Sequence, residues 1–317
     1  MITLAEAKVG MSNKVDQQIV DEFRRSSLLL DRLTFDNAVS PGTGGSTLGY
    51  SYVQLVTPST ASFRAINNEY VKNQAKRKEL TAYLKIFGGS FEIDRVIINT
   101  SGVVNELSFQ MSEKIKGAAN LFHYTVINGD RAVNNDEFDG LDTLLSGSKT
   151  EVDGSIDIST SDLLKEKKHT VIDLVSRFLA QMDGKPTMLL ANTELALKLA
   201  SVARRAGYFT QSEDAFGRQV DNFAGIPIVD LKQFYDESTE TTKPVVPIVN
   251  GKTDLYAVQL GIDGFHGVSP TGNNIIQSAL PDLKSPGVLK KGDVEMVAAV
   301  VLKNSLKAGV LRGIKVQ

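Results

Sequence analysis

Thirteen residues with almost nothing to bury, NNEYVKNQAKRKE at 67–79, separate two segments, 50–56 and 80–86, that alternate apolar and polar side chains. Alternation at period two is the pattern of a half-buried strand. A connection this long and polar is no tight hairpin turn. The pattern predicts a long hairpin with an exposed tip; the alternative is a plain surface loop. A projecting hairpin cannot cover its own apolar side chains, so it needs a neighbour to lie against.

The flanking segments extend this picture. Asn13 is placed to cap a helix bearing Val15, Ile19, Phe23 and Leu30, an amphipathic arm over 1–39. SPGTGGSTLG at 40–49 reads as a flexible joint. Gly88-Gly89 punctuates the chain before a further strand over 90–98. Val104, Leu107, Met111, Ile115, Ala118, Phe122 and Val126 recur every three or four residues and predict a helix over 103–127. At 1.5 Å per residue it spans roughly 35 Å, and Asn128-Gly129 ends it.

Residues 130–280 read as a mixed α/β region. A hairpin is expected at Val152-Asp153-Gly154-Ser155. Thr160 or Ser161 caps a helix with Leu164, Val171, Val175, Phe178 and Met182, closed by Gly184. Met188-Leu189-Leu190 is a short buried strand; Asn192 then caps a helix carrying Leu195, Leu199, Val202 and Ala206, ended by Gly207. Strands follow at 218–231, 245–249, 254–260, 294–302 and 309–316.

Composition excludes several functions. Lys and Arg total 35 against 37 Asp and Glu, so a chain of net charge −2 is no uniformly basic nucleic-acid coat. With no cysteine there is no disulfide framework, thiolate metal site or cysteine nucleophile. Glu6 and Lys8 stand where a signal peptide needs an apolar run. The longest apolar run, 296–302, is seven residues against the ~20 that span a bilayer. The expectation is a soluble protein made in the cytoplasm.

Catalytic motifs are weak. Gly251-Lys252-Thr253 resembles the end of a phosphate loop, but Val246 stands where that loop requires glycine, and Asn250-Gly251 is a better hairpin turn. Gly42-Thr43-Gly44-Gly45 lacks the preceding strand and following helix of a dinucleotide site. His123, His169 and His266 share no ligand spacing. Asp130, Asp136, Glu137, Asp139 and Asp142 form an acidic cluster that fails the calcium-loop pattern and reads as a solvated loop. A hydrolase using that cluster is the least favoured reading, with no catalytic residue, metal or cofactor assigned.

Five blocks, in order, resemble the major capsid proteins of tailed bacteriophages. They are SSLLLDRLTFDN at 26–37, SFRAINNEY at 62–70 with LTAYLKIFGGSFEIDRVI at 80–97, the long helix running into YTVINGD and FDGL at 124–141, FGRQVDNFAGIPIVDL at 216–231, and the terminal β segment from Val294. Each is loose; their order over nearly the whole chain carries the likeness. The resemblance implies an α+β, Hong Kong 97-like fold. Its parts would be an N-terminal arm (1–49), an extended hairpin or E-loop (50–88), a peripheral domain (89–130 and 284–317, with spine helix 103–127) and an axial domain (131–283).

The same resemblance implies a structural protein, not an enzyme, which self-assembles into hexamers and pentamers of an icosahedral head around double-stranded DNA. The precursor shell matures by expansion, in the virion, after assembly in the host bacterial cytoplasm. Expected partners are other copies of the chain, a portal protein, packaged DNA bound without sequence specificity, a decoration protein in some shells, and no membrane. Met1 leads almost directly into the arm, so scaffolding is expected from a separate protein. An encapsulin-type compartment shell is the alternative. Phe23 and Leu30 in the arm and Arg64, Lys76, Arg77 and Lys78 in the hairpin are the candidate inter-subunit contacts. Covalent cross-linking is not expected: Lys72, Lys76 and Lys78 are available, but no asparagine lies between Asn274 and Asn304 to mark a partner.

Charge segregates along the chain. Residues 60–86 hold six basic and two acidic residues, net +4; residues 129–163 are net −7 and residues 284–317 net +5. Opposed patches within a neutral total suit association through complementary surfaces.

Overall fold

The computed structural model describes residues 29, 32–37, 48–94, 106–207, 210–213, 219–236, 239, 241–272, 275–282 and 284–317. The arm helix expected from Asn13, with Phe23 and Leu30, lies outside the described residues, as does the joint expected at 40–49 except for Leu48 and Gly49.

Two sheets and one long helix organise the chain. Strand β1 (Phe35–Asp36) opens the first sheet, and β2 (Gly49–Thr57) pairs with β3 (Lys76–Tyr83) as a separate two-stranded hairpin. β4 (Lys85–Asp94) leads to α1 (Glu106–Asn128), close to the expected 103–127. Next come α2 (Leu141–Leu145), β5 (Glu151–Asp153), α3 (Ser161–Glu166), α4 (Lys168–Ala180), β6 (Met188–Ala191) and α5 (Thr193–Ala206). β7 (Thr210–Glu213), β8 (Gln219–Phe223), β9 (Ile226–Asp230), β10 (Gln233–Asp236) and β11 (Thr241–Pro244) follow. The chain finishes with β12 (Lys252–Val258), β13 (Phe265–Val268), β14 (Ile276–Ala279), β15 (Leu289–Leu302) and β16 (Ala308–Lys315).

β15 is the axis of the first sheet: it pairs with β4 along residues 289–298, with β14 at 293–296 and with β13 at 299–302. The second sheet has seven strands in the order β5-β16-β12-β6-β9-β8-β7. Period two divides its side chains. Leu189, Ala191, Leu255, Ala257 and Leu311 face a core built with α3, α4 and α5. Met188, Leu190, Tyr256, Val258 and Val310 face the other way, into the core shared with α1 and the first sheet. A strand buried on both faces reads as a continuous apolar run, as Met188-Leu189-Leu190-Ala191 does. Sheet membership does not follow a division at residue 284, since β13 and β14 belong to the first sheet and β16 to the second.

Local signals account for several boundaries. Asn192 Oδ1 accepts the Leu195 N–H at 2.9 Å, and Gly207 ends α5 with φ +77°. Asn250 and Gly251 take φ +53° and +74° between β11 and β12, the turn their dipeptide predicts. Asn192 also donates through Nδ2 to Val246 O at 3.2 Å and to Thr253 Oγ1 at 2.6 Å, while its residue is 1% exposed. Replacing a capping asparagine costs about 1 kcal/mol, and orphaning buried partners adds about 1–3 kcal/mol. Asn192→Ala is expected to lose roughly 2–4 kcal/mol in urea unfolding.

Four expectations are corrected. The break between strands falls at Leu84, not at Gly88-Gly89. Leu84 is buried and its N–H bonds Leu48 O at 2.9 Å, while the glycines lie inside β4 where its backbone runs tight against Val294 and Lys114. Residues 152–155 form no hairpin: β5 pairs in parallel with β16, and Asp153 Oδ1 accepts from Ser155 N at 3.1 Å in a local turn. The helix after Thr160 is two helices, because its apolar stripe skips from Leu164 to Val171 across Lys165-Glu166-Lys167-Lys168. Residues 245–249 are no strand, since the Val245 and Val246 carbonyls are taken by the amides of Asn128 (2.7 Å) and Asn192 (3.2 Å).

Candidate assembly surface

The hairpin stands off the body and buries little of itself. β2 and β3 pair from Gly49↔Tyr83 out to Thr57↔Lys76, and residues 58–75 form the tip without further strand. The Asn73 side chain closes the tip's neck: its amide donates to Thr60 O at 2.8 Å and its Oδ1 accepts the Thr60 N–H at 3.3 Å. Within the tip, the Arg64 guanidinium lies 5.3 Å from the Tyr70 ring centroid.

The exposed tip carries bare apolar side chains among its polar ones. Phe63 is 108% and Ile66 90% exposed, and Val53, Leu55, Val56 and Val71 are exposed as well. Fully burying one such side chain gains about 1.5–3 kcal/mol. Nothing in the described chain covers them.

Near the body the hairpin is anchored. Tyr50, 7% exposed, donates from its hydroxyl to Asp36 Oδ2 at 2.9 Å. Gln54 donates to Lys303 O at 3.2 Å, and Lys303 Nζ sits 5.3 Å from the Tyr50 ring centroid. The Arg131 guanidinium covers the Tyr83 ring at 4.3 Å, and Lys85 donates to Asn135 O.

Of the sequence-predicted contacts, Phe23 and Leu30 are not among the described residues. Lys76, Arg77 and Lys78 are exposed and adjacent on β3, opposite Thr57, Leu55 and Gln54. Strand alternation points Arg77 to the opposite face from Lys76 and Lys78, so the three cations do not form one patch. Arg64 bonds within its own tip, to Ala65 O and Asn68 O.

The acidic cluster is used inside the chain. Asp130 Oδ1 accepts the Ala132 N–H at 2.8 Å and Asp139 Oδ1 the Arg131 N–H at 3.1 Å. Asp142 leaves the cluster to meet Arg312, which bonds it at 2.6 Å, Asp254 at 3.1 Å, and Glu151. The Gly147 N–H, then Arg312, holds the Glu151 carboxyl below its ordinary range. Burial pushes His123 down to about 4, so it stays neutral near pH 7. Among the described residues, no group of histidine and carboxylate side chains suits a metal ion. No described helix is long and apolar enough to cross a membrane.

An α+β chain with a long helix beneath a strand-rich sheet, a second α/β layer and an outstanding hairpin is the build of a Hong Kong 97-like capsid subunit. A chain of Mycobacterium phage Bobi superposes with a TM-score of 0.61 at 13% identity, covering 92% of this chain and 90% of that one. The holo-SrpI encapsulin complex from Synechococcus elongatus PCC 7942 gives 0.60 at 14% identity, covering 90% and 87%. The capsid of Myoviridae phage XM1 gives 0.56 at 11%, covering 90% and 91%. At these identities the likeness is one of fold. No curated protein matches the sequence. Residues 34–225, more than half of the chain, match the family described as SU10 major capsid protein, and the chain belongs to that family. Its role is that of a structural capsid protein.

Proposed function

We propose that this chain builds its shell by laying the hairpin over an adjacent copy, within hexamers and pentamers of an icosahedral head that encloses double-stranded DNA. The observation that carries this is the bare apolar tip, with Phe63 and Ile66 almost wholly exposed. In a heterologous contact of this kind each copy gives its hairpin to one neighbour and receives one from another, and the ring closes. The arm over 1–49, with Phe23 and Leu30, is assigned the same interlocking task.

The remaining parts follow the same reading. β4, α1 and β15 serve as the peripheral domain, and the seven-stranded sheet with α3, α4 and α5 as the axial domain. A separate scaffolding protein, a portal protein and, in some shells, a decoration protein are the partners. Assembly takes place in the host bacterial cytoplasm and ends in the virion. Asp130 and Asp139 cap turns and Asp142 pairs with Arg312, which supports a structural rather than a hydrolytic use of these carboxylates.

Negative-stain microscopy of the full chain, expressed with its scaffolding protein, tests the reading. Closed shells or ring-shaped capsomers are expected; a strictly monomeric 34.4 kDa species under all conditions overturns it. The encapsulin-type alternative is separated by content, since shells purified from infected cells then hold protein cargo in place of DNA. Lys76, Arg77 and Lys78 are assigned to rim pairs with carboxylates of the next subunit, which set encounter rate and register more than affinity. A variant with all three changed to Ala should assemble with a weaker dependence on salt, read by light scattering; an unchanged salt dependence argues against these pairs.

A further inference from the structure

The hairpin's root rests on a buried histidine. His266, in β13, is 0% exposed, and its ring meets the Tyr50 ring edge-on at 6.0 Å and 79°. Nδ1 faces Gly264 O at 3.4 Å, while Nε2 is buried without a hydrogen-bond partner among the described residues. Tyr50 is the first buried ring of β2, and its hydroxyl is spent on Asp36 of β1. Whatever moves Tyr50 moves the base of the strand that carries the tip.

The titratable and charged groups around the imidazole come from four segments of the chain. Asp36 approaches from β1, and Asp263, bonded to Lys307, from the loop before β13. Tyr50 packs from β2. Lys303 stands just beyond β15, over the Tyr50 ring. The carboxylates are already engaged, Asp36 by Tyr50 and Asp263 by Lys307. A proton added to Nε2 therefore brings a charge and a donor into a buried site with no acceptor for it among the described residues, and with a lysine ammonium close by.

We propose that His266 is a proton-operated latch on the hairpin: the neutral ring holds Tyr50 and the hairpin in the pose described, and protonation of Nε2 frees them. The carrying observation is one geometry, a fully buried imidazole with an empty Nε2 packed against the ring that seats the hairpin's first strand. Burial first, and then Lys303, holds the His266 pKa below its ordinary value. The sign follows. The released state, with a histidine of ordinary pKa near 6.5, binds the proton more readily than the latched state. The latch is therefore at full strength above about 6.5 and weakens as pH falls, by at most about tenfold per pH unit for one proton. This deepens the reading of the hairpin as the subunit-joining element, but it concerns one chain and is tested on one chain.

The chain has no cysteine, so two labels can be placed without competing thiols. Glu79→Cys on β3 and Asn120→Cys on α1 are both exposed. Spin-label distances in the full-length, unassembled chain are compared at about pH 7.5 and about pH 5, across the histidine range. The expected result is one narrow distance at the higher pH, and at the lower pH an increased second population, by at most about thirtyfold for one proton taken up between about pH 6.5 and 5. With His266→Phe, which keeps an aromatic ring and cannot be protonated, the narrow distance persists at both. Tyr50→Phe, which loses only the bond to Asp36, should show the second population already at the higher pH. The proposal is overturned if the distribution is the same at both pH values, if His266→Phe responds to pH as the parent does, or if Tyr50→Phe matches the parent throughout. Because no assembly step is measured, failure here leaves the capsid reading standing, and failure to assemble leaves the latch standing.

Discussion

A chain carrying Phe63→Ser, Ile66→Ser and Val71→Ser is expected to fold normally and to remain unassembled. These side chains project from the tip with little or no contact to their own chain. Removing them costs the single subunit almost nothing, and its melting temperature should stay within about 2 °C of the parent, since surface changes away from caps and networks fall within about 0.5 kcal/mol. On the proposed contact, assembly loses all three burials at every copy. At roughly 1.5–3 kcal/mol for each side chain, even half of the possible burial shifts each contact by more than about tenfold. Sedimentation velocity reads both states: the expected pattern is a monomer peak in place of capsomers and shells. Normal shells from the triple variant would remove the tip from the interface.

Gly140→Ala is expected to be strongly damaging, because it forces a side chain into the joint between α1 and α2. A Cβ at Gly140 would lie 2.5 Å from Thr125 O, 2.8 Å from Gly129 N and 2.8 Å from Ile127 O, all backbone atoms at the end of α1. The same glycine donates its N–H to Gly129 O at 2.8 Å, and Thr143 donates to that carbonyl at 2.9 Å. Here α1 is fastened to α2, whose Leu141 and Leu145 are fully buried. Backbone cannot yield as a flexible side chain does, so overpacking at this point should cost on the order of 3 kcal/mol. Urea denaturation is the check, and a loss under about 1 kcal/mol would show that the joint can relax.

In the YTVINGD and FDGL segments, Gly129 and Gly140 must both lack side chains where the helix end and the following segment touch. Local chemistry of this kind was legible: the caps at Thr160 and Asn192, the stop at Gly207 and the turn at Asn250-Gly251 each depend on two or three neighbouring residues. The long helix was legible because one face repeats over six turns.

What was not legible depends on partners far along the chain. The Asp142–Arg312 pair spans 170 positions, and nothing around Asp142 marks it as different from the other acidic residues. Alternation showed that Tyr50 has a buried face but not that Asp36, His266 and Lys303 meet it. β3 begins at Lys76, not near Leu80, because Lys76-Arg77-Lys78 has no apolar alternation and becomes strand through backbone pairing with 54–57. The carbonyls of Val245 and Val246 could not be assigned without knowing where Asn128 and Asn192 would arrive. The hairpin with its exposed tip was readable; the side chains that anchor its root were not.

The most direct test of the central claim is a cryo-electron microscopy map of the assembled particle at a resolution that shows side chains. The hairpin over residues 58–75 is predicted to lie on the adjacent subunit, with Phe63 and Ile66 covered by it. A closed shell in which the tip points into solvent and both side chains stay bare in every subunit would contradict the account.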